Sequence, residues 1–190
     1  MIRIGILGDI GSGKTYISSK FGYPVFNADD EVKKLYNKNK KIFFKLKKIL
    51  PNYIHKFPID NKEITSAILG NKNNLRKIIK IVHSEVRKKM LIFLKKNKDK
   101  RIVILDIPLL LENKINKKND ILIFINAKKV NIQKNLKKRK NFNKKLIEKF
   151  KKIQLSLDYK KQKSDFIINN NFTNKYLKKD IKTILYKILK

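Results

Sequence analysis

Eight residues, Gly8-Asp9-Ile10-Gly11-Ser12-Gly13-Lys14-Thr15, restrict this chain more than any other stretch. They follow an apolar run, Ile2 to Leu7, that reads as a buried parallel strand, and they precede a segment that can be helical. The spacing is G-x-x-x-x-G-K-T, the phosphate-binding P-loop pattern, and the strand before and helix after it are the context it requires. Glycines permit the φ values with which successive backbone N–H groups turn inward around an anion. Lys14 then reaches the β- and γ-phosphates as a point charge, and Thr15 offers its hydroxyl to Mg²⁺. The helix that begins here adds its positive end to the anion site. A tight strand-to-helix turn is the bland alternative; the flanking pattern favours a nucleotide-binding enzyme.

A chain of 190 residues suits one domain with small insertions and can bury a real core. No apolar stretch approaches the roughly 18 residues of a membrane span, so none is expected. The first residues read as a core strand and not as a cleavable leader, and there are no cysteines for disulfides or thiolate metal sites. Both features point to the cytoplasm. Lysine and arginine number 49 against 15 acids, a net charge of +34. Such a balance invites a nucleic-acid or membrane-surface reading. The lysines, however, run through every segment between Asn and Ile and gather in no single patch, so the charge reads as background on solvated positions.

After the loop, Tyr16 to Phe21 continues the first helix and Gly22 with Pro24 ends it. Val25-Phe26 forms a second strand closing on Asn27-Ala28-Asp29-Asp30. Acids at a strand's C-terminal end lie where open α/β sheets bind ligands, so Asp29 is a candidate to face a phosphoryl acceptor and Asp30 to cap the next helix. Residues 31–50 have helical apolar spacing with a weak point at Asn37-Lys38-Asn39, and Pro51 ends it. Glu63 to Leu69 is a short helix stopped by Gly70, and a further helix runs from Leu75 to about Lys96. Residues 31–75 thus form a helical insertion between core strands. Neither histidine has a partner at metal-ligand spacing. His55 reads as an exposed loop residue and His83 as a packed or half-exposed helical one.

Arg101 to Asp106 is the clearest core strand, and an apolar run ending in an acid downstream of a P-loop supports Mg²⁺ through water. The other reading of Asp106 is a turn or cap acid. Ile121 to Ile125 is a fourth strand. A lysine-rich helix with Ile132 and Leu136 follows, then a polar interruption at 139–143, then a helix carrying Leu146, Phe150, Ile153 and Leu157 on one face. This is how a lid over a triphosphate reads, with Arg139 on the phosphates because its fork matches their oxygens. A solvated basic hairpin reads the same way. Ser164 to Asn170 is a fifth strand, and a helix with Leu177, Ile181, Ile184, Leu185 and Ile188 closes the chain. Strands alternating with helices predict a three-layer α/β fold around a five-stranded parallel sheet.

These residues together resemble the dephospho-coenzyme A kinase family of P-loop kinases, related to the nucleoside monophosphate kinases. The family's opening is similar to Gly8–Thr15, its V-[IF]-D-A-D element to Val25-Phe26-Asn27-Ala28-Asp29, and its H-P-x-[IV]-R segment to His83-Ser84-Glu85-Val86-Arg87. D-x-P-L-L-x-E stands here as Asp106 to Glu112, and the family's ending matches Gln154, Lys160, Ser164-Asp165, Ile168 and Asn170. The resemblance implies a P-loop NTPase fold and transfer of the ATP γ-phosphoryl group to the ribose 3′-hydroxyl of dephospho-coenzyme A. It implies that Gly8, Ile10, Gly11, Ser12, Gly13, Lys14, Thr15, Tyr16 and Arg139 hold ATP, with Mg²⁺ at Thr15 and Asp106. Lys14, Asp29 and Arg139 would carry catalysis, Asp29 as general base or acceptor-orienting acid. Asp29, His83, Arg87, Pro108, Leu109 and Lys160 would bind the acceptor. The family architecture makes about 31–75 the acceptor-binding helices and about 130–150 the lid of a single kinase domain, with the monomer favoured.

The sequence departs from the family at Asp9, a glycine there, at Asn27 for the first acid of D-A-D, and at Ser84 for proline. Asn61 and Asn135 stand where arginines are usual, and Lys62, Lys134 or Lys137 could substitute electrostatically without the bidentate geometry. The nearest rival is a nucleoside or nucleoside monophosphate kinase of the same fold. A basic nucleic-acid-binding ATPase is the rival from another class, opposed by the lack of any aromatic-interleaved basic stripe.

Overall fold

Strand β1 (Ile2–Gly8) feeds through the glycine loop into helix α1 (Lys14–Ser19), and β2 (Val25–Asn27) follows. The computed structural model describes residues 1–140, 142–173 and 176–190. Four helices come next: α2 (Ala28–Lys38), α3 (Lys40–Ile49), α4 (Asn61–Gly70) and α5 (Asn74–Lys96). The chain then runs through β3 (Ile102–Asp106), β4 (Ile121–Asn126), α6 (Lys129–Lys137), α7 (Lys144–Lys151), α8 (Leu157–Gln162), β5 (Phe166–Asn169) and α9 (Leu177–Leu189). Residues 1–27 with 97–190 form one compact unit and residues 28–96 a second.

The first unit holds a five-stranded, wholly parallel sheet in the order β2-β3-β1-β4-β5, with β1 at its centre. Ile4 is in register with Ile104 on one side, and Ile6 with Ile123 on the other. Alternation sends Ile4, Ile6, Ile104, Ile123, Ile125 and Ile168 to one face, where Ile17 of α1, Phe21 just beyond it, and Ile181 and Ile184 of α9 cover them. On the opposite face Leu110 lies against Gly5: a Cβ there would meet the Leu110 Cδ2 at 2.5 Å. Both faces being covered, the strands are almost entirely apolar, as a parallel sheet between helix layers demands. The expected three-layer α/β fold is what the chain adopts.

In the second unit α5 packs against α2, α3 and α4, burying Leu75, Ile78, Val82, Val86 and Met90 at helical spacing. Asn39 breaks α2 from α3 and accepts the Ile42 N–H at 3.1 Å, so the expected weak point is a cap. Asp60 and Glu63 form a capping box at the head of α4. That pattern was legible as D-x-x-E and went unread.

Three local expectations differ. The first helix ends at Ser19, with Lys20 as its cap and Gly22 at φ 74°, so it stops short of Phe21. Asp30 does not cap α2: the strand passes directly into the helix at Ala28, leaving Asp30 inside the first turn and 2.9 Å from Lys33. The helix read from Leu146 through Leu157 is two. Glu112 accepts the Leu155 N–H at 3.0 Å and Ser156 caps α8 through the Tyr159 N–H at 3.2 Å, which pulls residues 152–156 out of helical path. Residue 141, within the polar interruption at 139–143, lies outside the described residues.

Candidate active site

The loop between β1 and α1 is shaped by side chains from two distant segments. Asn135 of α6 donates its amide to the Gly11 carbonyl at 3.0 Å, and Asn170, just past β5, donates to the Ser12 carbonyl at 2.8 Å. The Asn170 oxygen in turn accepts the Phe172 N–H at 2.8 Å, which fixes its amide orientation. Two successive loop carbonyls are thereby held toward the protein. The same contacts explain two glycines. Gly11 has φ 86° and a Cβ there would lie 2.7 Å from Leu136 Cγ, while a Cβ at Gly13 (φ 92°) would collide with the Asn170 amide.

Lys14, the first residue of α1, folds back along the loop and donates to the carbonyls of Gly8 at 3.1 Å and Asp9 at 2.7 Å. Beside it the Thr15 hydroxyl donates to Asp106 Oδ2 at 2.6 Å. Asp106 ends β3 and is 3% exposed. Asn27, at the end of β2, donates to the same oxygen at 2.7 Å and approaches the Thr15 hydroxyl at 3.4 Å. Parallel pairing sets Asn27 level with Asp106, so two strand ends and the first turn of α1 deliver one oxygen-rich cluster. A hydroxyl and a carboxylate so close are hard donors that fit Mg²⁺, which takes few protein ligands and keeps its own waters.

Of the other residues singled out from sequence, Gly8 through Tyr16 line this loop, and Tyr16 is exposed with Lys20 Nζ 4.8 Å from its ring centroid. Ile10 gives its N–H to the carboxylate of Asp9 at 2.7 Å. Arg139 follows α6 by two residues, exposed, one turn beyond the Asn135 and Leu136 that touch the loop. Pro108 and Leu109 are half-buried in the turn after β3. Lys160 is only 1% exposed, its Nζ 2.7 Å from Glu112 and 3.2 Å from Gln154, tying α8 to that turn. Asp29 lies in the first turn of α2, and His83 and Arg87 are four residues apart on α5, all three in the second unit. Sequence reasoning missed the anchoring roles of Asn135 and Asn170. Asn170 falls within the family's closing motif, but nothing local to either residue reveals a partner more than a hundred positions away.

A sequence profile of a family described as dephospho-CoA kinase matches residues 2–175. A dephospho-CoA kinase of Wolbachia pipientis wMel is 31% identical over 187 residues, covering 96% of this chain and 95% of the relative. One from Rickettsia typhi is 32% identical over 189 residues, covering 97% and 96%. Among solved structures, a Thermus thermophilus protein superposes with a TM-score of 0.76 at 23% identity, over 99% of this chain and 96% of that one. Dephospho-CoA kinase from Campylobacter jejuni gives 0.64 at 20% identity, over 98% and 96%. The two structures speak for the fold, while the profile spans every residue of the loop cluster from Gly8 to Asn170. On that sequence match the chain belongs to the dephospho-CoA kinase family.

Proposed function

We infer that the chain transfers the γ-phosphoryl group of ATP to the ribose 3′-hydroxyl of dephospho-coenzyme A, yielding coenzyme A and ADP. The observation that carries this reading is the phosphate loop, tied open by Asn135 and Asn170 with Lys14 and Thr15 at its mouth, in a chain of this family. On this reading Gly8 and Ile10 to Tyr16 enclose the triphosphate. Lys14 leaves the Gly8 and Asp9 carbonyls for the phosphate oxygens, exchanging neutral partners for charged ones. Thr15 and Asp106 would hold Mg²⁺, which when bound neutralises charge on the β- and γ-phosphates.

The rest of the assignment concerns the acceptor and the lid. Asp29 orients the 3′-hydroxyl and takes its proton as the new P–O bond forms and the bond to the ADP oxygen breaks. Such transfer depends chiefly on alignment and charge neutralisation, so holding the hydroxyl in line is the larger part of that role. His83 and Arg87 grip the acceptor with Pro108 and Leu109, and Lys160 supports that turn through Glu112. Residues 31–75 form the acceptor-binding helices and 130–150 the lid, from which Arg139 reaches the transferring phosphate.

Coupled ADP release with Mg-ATP, run with and without dephospho-coenzyme A and with the product identified by mass, tests the reading. Acceptor-dependent release with coenzyme A appearing is expected. ADP release driven instead by AMP, CMP, DNA or RNA would overturn it.

A further inference from the structure

Asp9 puts a carboxylate inside a loop whose task is to hold a polyanion. Its side chain is 12% exposed, so water screens it poorly. One oxygen, Oδ1, accepts the Ile10 N–H at 2.7 Å; the other, Oδ2, lies 3.2 Å from Nζ of Lys151. Lys151 is the last residue of α7, 142 positions along the chain and 47% exposed. The Asp9 carbonyl also takes a hydrogen bond from Lys14 at 2.7 Å, so the residue presents both its acceptor groups to the loop's own surroundings.

We propose that Lys151 is a positioning residue for the nucleotide: it neutralises Asp9 and turns that carboxylate away from the phosphates, setting the affinity of the loop for ATP. With its lysine half-exposed, the pair adds little to folding. Its effect on binding is larger, because an uncompensated buried carboxylate beside the triphosphate repels it at short range in a poorly screened site. Phosphate binding here therefore depends on a lysine far along the chain that pairs with the one acidic residue of the P-loop motif. The proposal rests on the ATP site and not on the identity of the acceptor.

A double-mutant cycle on the full chain tests it, with Mg-ATP affinity read by titration calorimetry in the absence of any acceptor. Asp9→Asn keeps an oxygen for the Ile10 N–H while removing the charge, and Lys151→Met keeps the length of the side chain. K151M should weaken Mg-ATP binding about tenfold, the scale of one lost charge-assisted contact, with the penalty shrinking as salt is raised. In the D9N background the same change should cost less than about twofold, because the charge it offsets is gone. An equal loss in both backgrounds would overturn the proposal, showing that Lys151 acts on the nucleotide directly or through packing. No loss in either background would overturn it as well. Thermal unfolding of each variant separates these outcomes from misfolding, and Lys151→Arg, which restores the charge, should recover affinity. ATP binding that behaves as expected alongside no turnover of dephospho-coenzyme A would remove the acceptor assignment and leave this inference standing.

Discussion

One oxygen of Asp106 accepts from both Thr15 and Asn27. The amide at 27 accordingly does something that an ionised carboxylate could not do: it donates. Read along the sequence, Asn27 is simply a missing acid, because its partner stands 79 positions away. Asn27→Asp would set two carboxylates against each other, and one must take a proton or share a cation. We expect that variant to lose about 1–3 kcal/mol of stability in EDTA, the cost of a broken bond to a buried charge. Mg²⁺ should restore most of the loss. Thermal unfolding with EDTA and with Mg²⁺ checks this; equal melting of variant and parent in EDTA would show that the amide does not hold Asp106. The glycines, Lys14, Thr15 and Asp106 were legible because their spacing is local and their chemistry specific. Asp9 was legible only as an oddity, since its counter-charge comes from another helix.

Among the elements, the break between α7 and α8 shows where periodicity misleads. Leu146, Phe150, Ile153 and Leu157 keep helical spacing, yet Glu112 captures the Leu155 N–H and Lys160 beneath it. A side chain from the turn after β3 thus helps decide where α8 begins, and within 144–162 only the Ser156 cap marks that start. Lys160→Met would strand Glu112, whose Oε2 already has no hydrogen-bond partner among the described residues. Breaking a buried pair from one side costs about 3–5 kcal/mol, and chemical denaturation of K160M should show it. The double variant Glu112→Leu with Lys160→Met should recover much of the loss, because no charge is then left buried.

Helix α2 carries a pH-sensitive element of the second unit. Tyr36 is buried, and that burial pushes its phenol well above the usual value of 10.0. The unfolded chain ionises this group near pH 10 while the folded chain does not. Its contribution is therefore fully present below pH 10 and is lost as pH rises through the alkaline range, by up to about 1.4 kcal/mol per unit. Urea unfolding between pH 9 and pH 11 should show that slope in the parent and a shallower one in Tyr36→Phe.

For the whole molecule, alternation of strand and helix was enough to read a parallel α/β sheet, but not its order. β2 and β3 are neighbours although four helices separate them, and β1 becomes central only because later strands add to both sides. Nothing periodic carries that information. The charge of +34 divides in a similar way. A pair such as Lys33–Asp30 stands in water, its side chains 64% and 56% exposed, and contributes little. Lys151 and Lys160 differ because the acids they meet are buried. The same residue type is background in one place and a determinant in another, and burial of the partner separates the two. Order of synthesis also bears on the loop. Its signature is complete once the first fifteen residues exist, but the amide that holds the Ser12 carbonyl arrives 158 positions later. A ribosome-bound chain that has not yet released residue 170 carries the whole motif without its finished shape. A chain cut before β5 should therefore retain the motif and fail to hold ATP.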